Sequence, residues 1–222
     1  MGVLHFVEKN FYQVLFLTWE HIFMVGLSLI IGTAIGVPLG ILITKKANLA
    51  KNVINGANVI MTIPSIALFG LMMPILATVG HGLGKVPAIV ALVLYSQLPI
   101  LRNTYVAIKD VPPSIRDAGK GMGMSRWQLL KEVEIPIAAP VIVAGLRTAA
   151  VMNIGIGAIA AYIGAGGLGV YIQQGIDRVY PEMIITGAVL VSLFAILVDG
   201  LMAAVEHVLT PKGIQLEKRL AQ

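Results

Sequence analysis

The chain has 222 residues, 57% of them hydrophobic and 12% charged, with a formal net charge of +5 and no cysteine. That charge content is about half what a soluble domain carries, and the missing cysteines exclude a disulfide framework and thiolate metal sites. His5, His21, His81 and His207 fall at no ligand spacing, so no metal centre is expected. The placement of the charges accounts for the basic excess better than a nucleic-acid partner does.

The apolar residues run in long blocks, which predicts an all-α integral membrane protein forming a single transmembrane domain over 1–222. Five spans are expected, at about 22–43, 53–79, 86–108, 137–163 and 183–209. The first starts too late and runs too long for a cleavable signal peptide and is expected to act as a signal anchor. Its Gly32, Gly36 and Gly40 form a small-residue face suited to close helix packing. The second carries Thr62-Ile-Pro64-Ser65 and then Pro74, so it should kink and free carbonyls near mid-membrane. A kink alone is a packing feature. With Thr62 and Ser65 beside Pro64 it can also line a solute pathway, and both readings stand.

Between the third and fourth spans lies the polar, glycine-punctuated run Asp117–Pro136. Pro112-Pro113 ends what precedes it, and Ser114-Ile-Arg-Asp117 fits a capping box that opens a helix. Ile115, Ala118, Met122, Trp127 and Leu130 supply an apolar stripe at near-helical spacing. Gly119, Gly121 and Gly123 each cost such a helix about 1 kcal/mol relative to alanine. They are expected to serve a bend or the close approach of a partner. Pro136 and Pro140 then restart the chain as a new span. The segment 114–131 is thus either an amphipathic helix on the bilayer surface or a docking helix, and the glycines favour docking.

Two ionisable residues fall deep inside expected spans, Arg147 in the fourth and Asp199 in the fifth. Each is roughly 15 Å from the nearer end at 1.5 Å per residue. They are expected to pair with each other or with a neighbouring subunit, locking spans in preference to contacting a solute. Gly164-Ala-Gly166-Gly-Leu-Gly169 matches G-x-G-x-x-G but follows an apolar run where the dinucleotide fingerprint needs a strand. It reads as a bend or re-entrant turn. Gly80-His-Gly82-Leu-Gly84-Lys85 lacks the phosphate-loop spacing, so the energy source should be another polypeptide. Tyr95, Tyr105 and Tyr162 are the aromatic candidates for a pathway, each also readable as packing or an interface anchor.

Eleven Lys and Arg residues fall in the connections after the first, third and fifth spans: Lys45, Lys46, Lys51, Lys109, Arg116, Lys120, Arg126, Lys131, Lys212, Lys218 and Arg219. The opposite side holds Lys9, Lys85 and Arg178. Since basic loops stay cytoplasmic, the amino terminus is expected outside, and the carboxyl terminus and the Asp117–Pro136 run inside.

Asp117-Ala118-Gly119, then Gly123, then Val133-Glu-Ile135-Pro136 resembles the "EAA" loop of ABC importer permeases, with the spacing intact. It departs from the pattern by Asp for Glu and by Gly119 for a second alanine. The resemblance implies a cytoplasmic coupling helix between spans 3 and 4 that sits in a groove of an ABC ATPase. Asp117, Ala118, Gly119, Met122, Gly123, Trp127, Ile135 and Pro136 are the residues implied there. It implies no cofactor in this chain, since ATP and Mg sit on the partner ATPase.

Thr62-Ile-Pro64-Ser65-Ile-Ala-Leu-Phe69-Gly70, Leu98-Pro99-Ile-Leu-Arg102-Asn103-Thr104-Tyr105, Ala144-Gly145-Leu-Arg147-Thr148-Ala149 and Ile163-Gly164-Ala-Gly166-Gly167-Leu168-Gly169 look like the osmoprotectant branch of that family. That branch carries glycine betaine, carnitine, choline or proline betaine. The resemblance implies a multi-pass subunit of the bacterial cytoplasmic membrane with a second permease copy or a related permease, two ATPases and an external substrate-binding protein. Thr62, Pro64, Ser65 and Tyr162 are the candidate pathway residues. Methionine permeases share the five spans and a similar glycine-rich stretch, and an exporter variant is a further alternative. A membrane-embedded enzyme would need a base, nucleophile or metal cluster that the spans lack, and a passive channel has no use for an ATPase-docking loop.

Overall fold

In the computed structural model of the protein, which describes residues 2–210, all regular structure is helical. A short α1 (Val3–Lys9) leads into α2 (Phe11–Ile43), α3 (Ala47–Thr62), α4 (Ser65–Ala77), α5 (Lys85–Lys109) and α6 (Pro113–Gly121). Then come α7 (Arg126–Gln128), a π-helical turn (Leu129–Glu134), α8 (Ile135–Ile159), a 3-10 turn (Ala160–Ile163), α9 (Gly169–Asp177) and α10 (Pro181–Leu209). Lys212, Lys218 and Arg219, counted above among the basic residues, lie outside the described residues.

Among the described residues, four helices are long and apolar enough to cross a membrane: α2, α5, the run Arg126–Ile163, and α10. α3 and α4 supply a fifth if the bent pair is one span. Three expectations change. The first span is longer than 22–43, because its helix already starts at Phe11. The second is broken and not merely kinked, since α3 and α4 meet at 102°. Ile63 adopts the extended backbone (φ −70°, ψ 127°) that a residue before proline prefers, and Pro64 has no amide hydrogen to carry the ladder on. The fourth does not restart at Pro136, because the helix passes through it from Arg126. The π turn directly before it is wider than an α-helical turn and accommodates a ring that would otherwise crowd the preceding carbonyl.

α5 is the centre of the bundle, packed against α2, α8, α3 and α4. The small-residue face of α2 lies on it. A Cβ at Gly36 would stand 2.6 Å from Ile100 Cγ2, and one at Gly40 2.7 Å from Thr104 Cβ, so only hydrogen fits between the two helices. Met24, Phe69, Leu92 and Tyr95 fill the main core. Asn153 crosses from α8 to α5, donating from Nδ2 to Ser96 Oγ at 2.7 Å and to the Leu92 carbonyl at 3.3 Å. α10 packs on α8 and α9 and buries only Met183, Thr186 and Gly187 near its start. Along the rest of α10 one side is half-buried, with Leu190 and Val191 packed on the core and Phe194 edge-on to His21, and the other side, with Val189, Leu193, Ile196, Leu197 and Leu201, is exposed.

Candidate functional site

The patterned segment is built differently from the expected single helix over 114–131. α6 starts at Pro113, whose fixed φ and missing N–H suit a first helical position. Ser114 therefore falls inside the first turn and caps nothing, and Asp117 pairs with Lys120 at 3.0 Å on an exposed surface. The capping box lies further on. Ser125 Oγ accepts from the Gln128 amide at 3.3 Å, and Gln128 Oε1 accepts from the Ser125 amide at 2.8 Å. Its Ser-x-x-Gln signature stands in the sequence, eleven residues after the one chosen.

Two glycines shape the turn between these helices. At Gly123 φ is +80°, and the amides of Gly123 and Met124 donate back to the carbonyls of Lys120 and Gly119. This is the paired-bond stop that glycine permits at a helix end. Gly119 is buried, and a Cβ there would meet Leu129 Cδ1 at 2.7 Å. Arg116, which the motif leaves out, fastens α6 to both neighbouring spans. Its Nε donates to Glu134 Oε1 at 2.7 Å, and its Nη2 donates to the carbonyl of Ile108 at the end of α5. Facing away are Met122, 73% exposed, and Trp127, 68% exposed, with Ile115, Asp117 and Ala118 also uncovered. Ile135 packs inward beside Ile108, Ala138 and Ile142, while Pro136 is exposed. Trp127 also lines a cleft of about 680 Å³ with Lys45, Lys109 and Arg126.

At the broken span, Thr62, Pro64 and Ser65 come together with Tyr95, Met152 and Ile156 around a depression of about 300 Å³. Tyr95 holds the break from α5, its hydroxyl donating to the Ile63 carbonyl. Thr62 Oγ1 is turned back to the Val59 carbonyl at 2.7 Å. Tyr162 does not line this depression and stands half-exposed on the 3-10 turn. Arg147 and Asp199 form a bidentate pair, Nε to Oδ1 at 2.5 Å and Nη2 to Oδ2 at 2.7 Å, joining α8 to α10.

At the end of the bundle opposite α6, the glycine-rich loop reverses the chain, with Gly164, Gly166 and Gly167 all at positive φ. Glu20 Oε2 accepts from the Gly167 amide at 3.2 Å while Oε1 pairs with Lys85 at 2.7 Å. Next to it His21 Nδ1 accepts from the Leu168 amide at 3.3 Å, which leaves Nε2 as the N–H that donates to the Ile154 carbonyl at 3.1 Å. Sequence spacing gave no sign of this clamp, because its partners lie 133 and 147 residues from His21. Among the described residues no group of three His, Cys, Asp or Glu is placed to hold a metal ion.

The described residues thus form an all-helical membrane body with an exposed, stapled elbow at one end. A family model described as "Binding-protein-dependent transport system inner membrane component" matches residues 36–210, and the chain belongs to that family. It is accordingly a multi-pass ABC transporter permease subunit of the bacterial cytoplasmic membrane, not an enzyme, and ATP hydrolysis takes place on a separate subunit. The osmoprotectant import permease protein OsmW of Salmonella typhimurium is 49% identical over 215 residues, covering 97% of this chain and 100% of that protein. The glycine betaine/carnitine/choline transport system permease protein OpuCB of Bacillus subtilis is 43% identical, covering 97% of each chain. A solved inward-facing structure of the MetNI methionine ABC transporter superposes with a TM-score of 0.81 at 27% identity, covering 92% of this chain and 99% of that one.

Proposed function

We propose that this chain is the permease subunit of an ATP-driven importer for compatible solutes bearing a quaternary ammonium group, such as glycine betaine, carnitine and choline. The observation that carries it is the 49% identity to OsmW over that relative's whole length. In this reading the amino terminus is outside and the described end of α10 inside. α6 and the turn after it are the cytoplasmic coupling element, with Asp117, Ala118, Met122 and Trp127 meeting an ATPase and Gly119 and Gly123 setting the shape that docks. Ile135 and Pro136 connect that element to the fourth span. Two permease copies, or this chain with a related permease, enclose a pathway onto which Thr62, Pro64 and Ser65 open. Tyr162 belongs near its outer end. An external binding protein delivers the solute, and ATP-driven closure of two ATPases alternates access.

The likeness to MetNI supports methionine as a second reading. One assay separates them. The permease is reconstituted in proteoliposomes with its ATPase and binding protein. ATP-dependent uptake of choline, carnitine or glycine betaine is expected, with none of methionine. Methionine uptake alone overturns the substrate, and a tagged permease that retains no ATPase overturns the importer.

A further inference from the structure

The Arg147 guanidinium is shared. Asp199 holds it at 2.5 and 2.7 Å, and Glu206, two turns further along α10, reaches its Nη1 at 3.6 Å. One cation against two carboxylates leaves one negative charge in excess. None of the three side chains is buried, their exposures being 34%, 41% and 31%. Glu206 stands in the last turn of α10, but Arg147 and Asp199 lie at membrane depth, where charges do not face hydrocarbon in this way, so this surface meets water or polar protein.

The shape of α8 shows which. One face, with Gly145, Ala149, Asn153 and Gly157, is buried against the bundle. The other carries Arg147 and Thr148 into a cleft of about 500 Å³ that Asp199 and Glu206 also line. Met152 lines both this cleft and the depression at the broken span. The two concavities are thus one continuous face, running from the Pro64 break towards the α6 end. A concave face with polar groups at membrane depth supplies the wet, polar surface that a charged solute needs in order to cross.

We propose that Arg147, Asp199 and Glu206 form part of the wall of the translocation pathway, in its half nearer α6, and that Glu206 makes that wall selective for cationic occupants. The Arg147–Asp199 pair holds Glu206 in place while cancelling most of the local charge, so that a passing ammonium group is attracted without being trapped. The choice of passenger rests on the quaternary-ammonium reading; the place and sign of the field do not.

The chain has no cysteine, so Thr148→Cys introduces a single thiol beside the triad. In the reconstituted permease–ATPase complex, cationic and anionic methanethiosulfonate reagents of matched size should both react with it. The cation should react about fivefold faster, and the preference should vanish in Thr148→Cys/Glu206→Gln. No reaction with either reagent, as at a lipid-facing or subunit-covered position, overturns the proposal, and so do equal rates. In uptake assays, Glu206→Gln should lower entry of choline, a cation, about five times more than entry of zwitterionic glycine betaine. Equal losses overturn the selective role. If the unsubstituted permease moves neither solute, the substrate reading fails while the thiol rates still decide the inference.

Discussion

At the scale of single residues, the bundle depends on where side chains are missing. A Cβ on Gly169 would lie 1.8 Å from the Ala158 carbonyl oxygen, a backbone atom that cannot swing away. Gly169→Ala should cost about 3 kcal/mol through overpacking. Gly26→Ala, in α2 with nothing within 4 Å of its Cβ, should be neutral or stabilising. Thermal unfolding of the two variants in detergent checks the contrast. His21→Ala should cost about 1–3 kcal/mol by stranding the Leu168 amide and the Ile154 carbonyl in the interior. The same melting assay reads it, with ATPase retention unchanged because α6 is at the other end.

At the scale of elements, α6 has a shape of its own and a separate attachment, and substitutions should part the two. Gly123→Ala forces a left-handed backbone on a residue with a side chain, at about 1–2 kcal/mol. The expected result is less ATPase recovered with a tagged permease, while Gly121→Ala, with open space at its Cβ, leaves recovery unchanged. Arg116→Ala should do the reverse, keeping the ATPase bound but lowering ATP-driven uptake about tenfold, because the tie from α6 to α5 and α8 is gone. This scale also shows what the sequence discloses. Long apolar blocks announce spans, and Arg147 and Asp199, the ionisable residues deepest within the later blocks, have few partners from which to choose. The capping box is misplaced because Ser114 and Ser125 both open a fitting pattern and only the preceding Pro113 decides between them. The break at Pro64 is readable as a bend but not in size, since its angle depends on packing against Tyr95. The clamp of Glu20 and His21 on the glycine loop is invisible to any local pattern.

For the whole molecule, the uneven distribution of Lys and Arg makes a direct prediction. Single cysteines at Lys46 and Lys120 should be reached by a membrane-impermeant thiol reagent only in inside-out vesicles, and one at Lys85 only in intact cells. Labelling of the Lys120 position from outside reverses the assigned orientation.

The absence of a restart at Pro136 has a mechanical consequence. The unbroken run from Arg126 to Ile163, 38 residues, is about 57 Å long at 1.5 Å per residue. One end is seated beside α6, and the other carries the glycine loop. Such a rod works as a lever: a tilt of about 10° pivoting at the α6 end sweeps the far tip through about 10 Å over that length. If the ATPase docks at the α6 end, as proposed, a nudge there would be enlarged at the far tip without any helix having to change its internal shape.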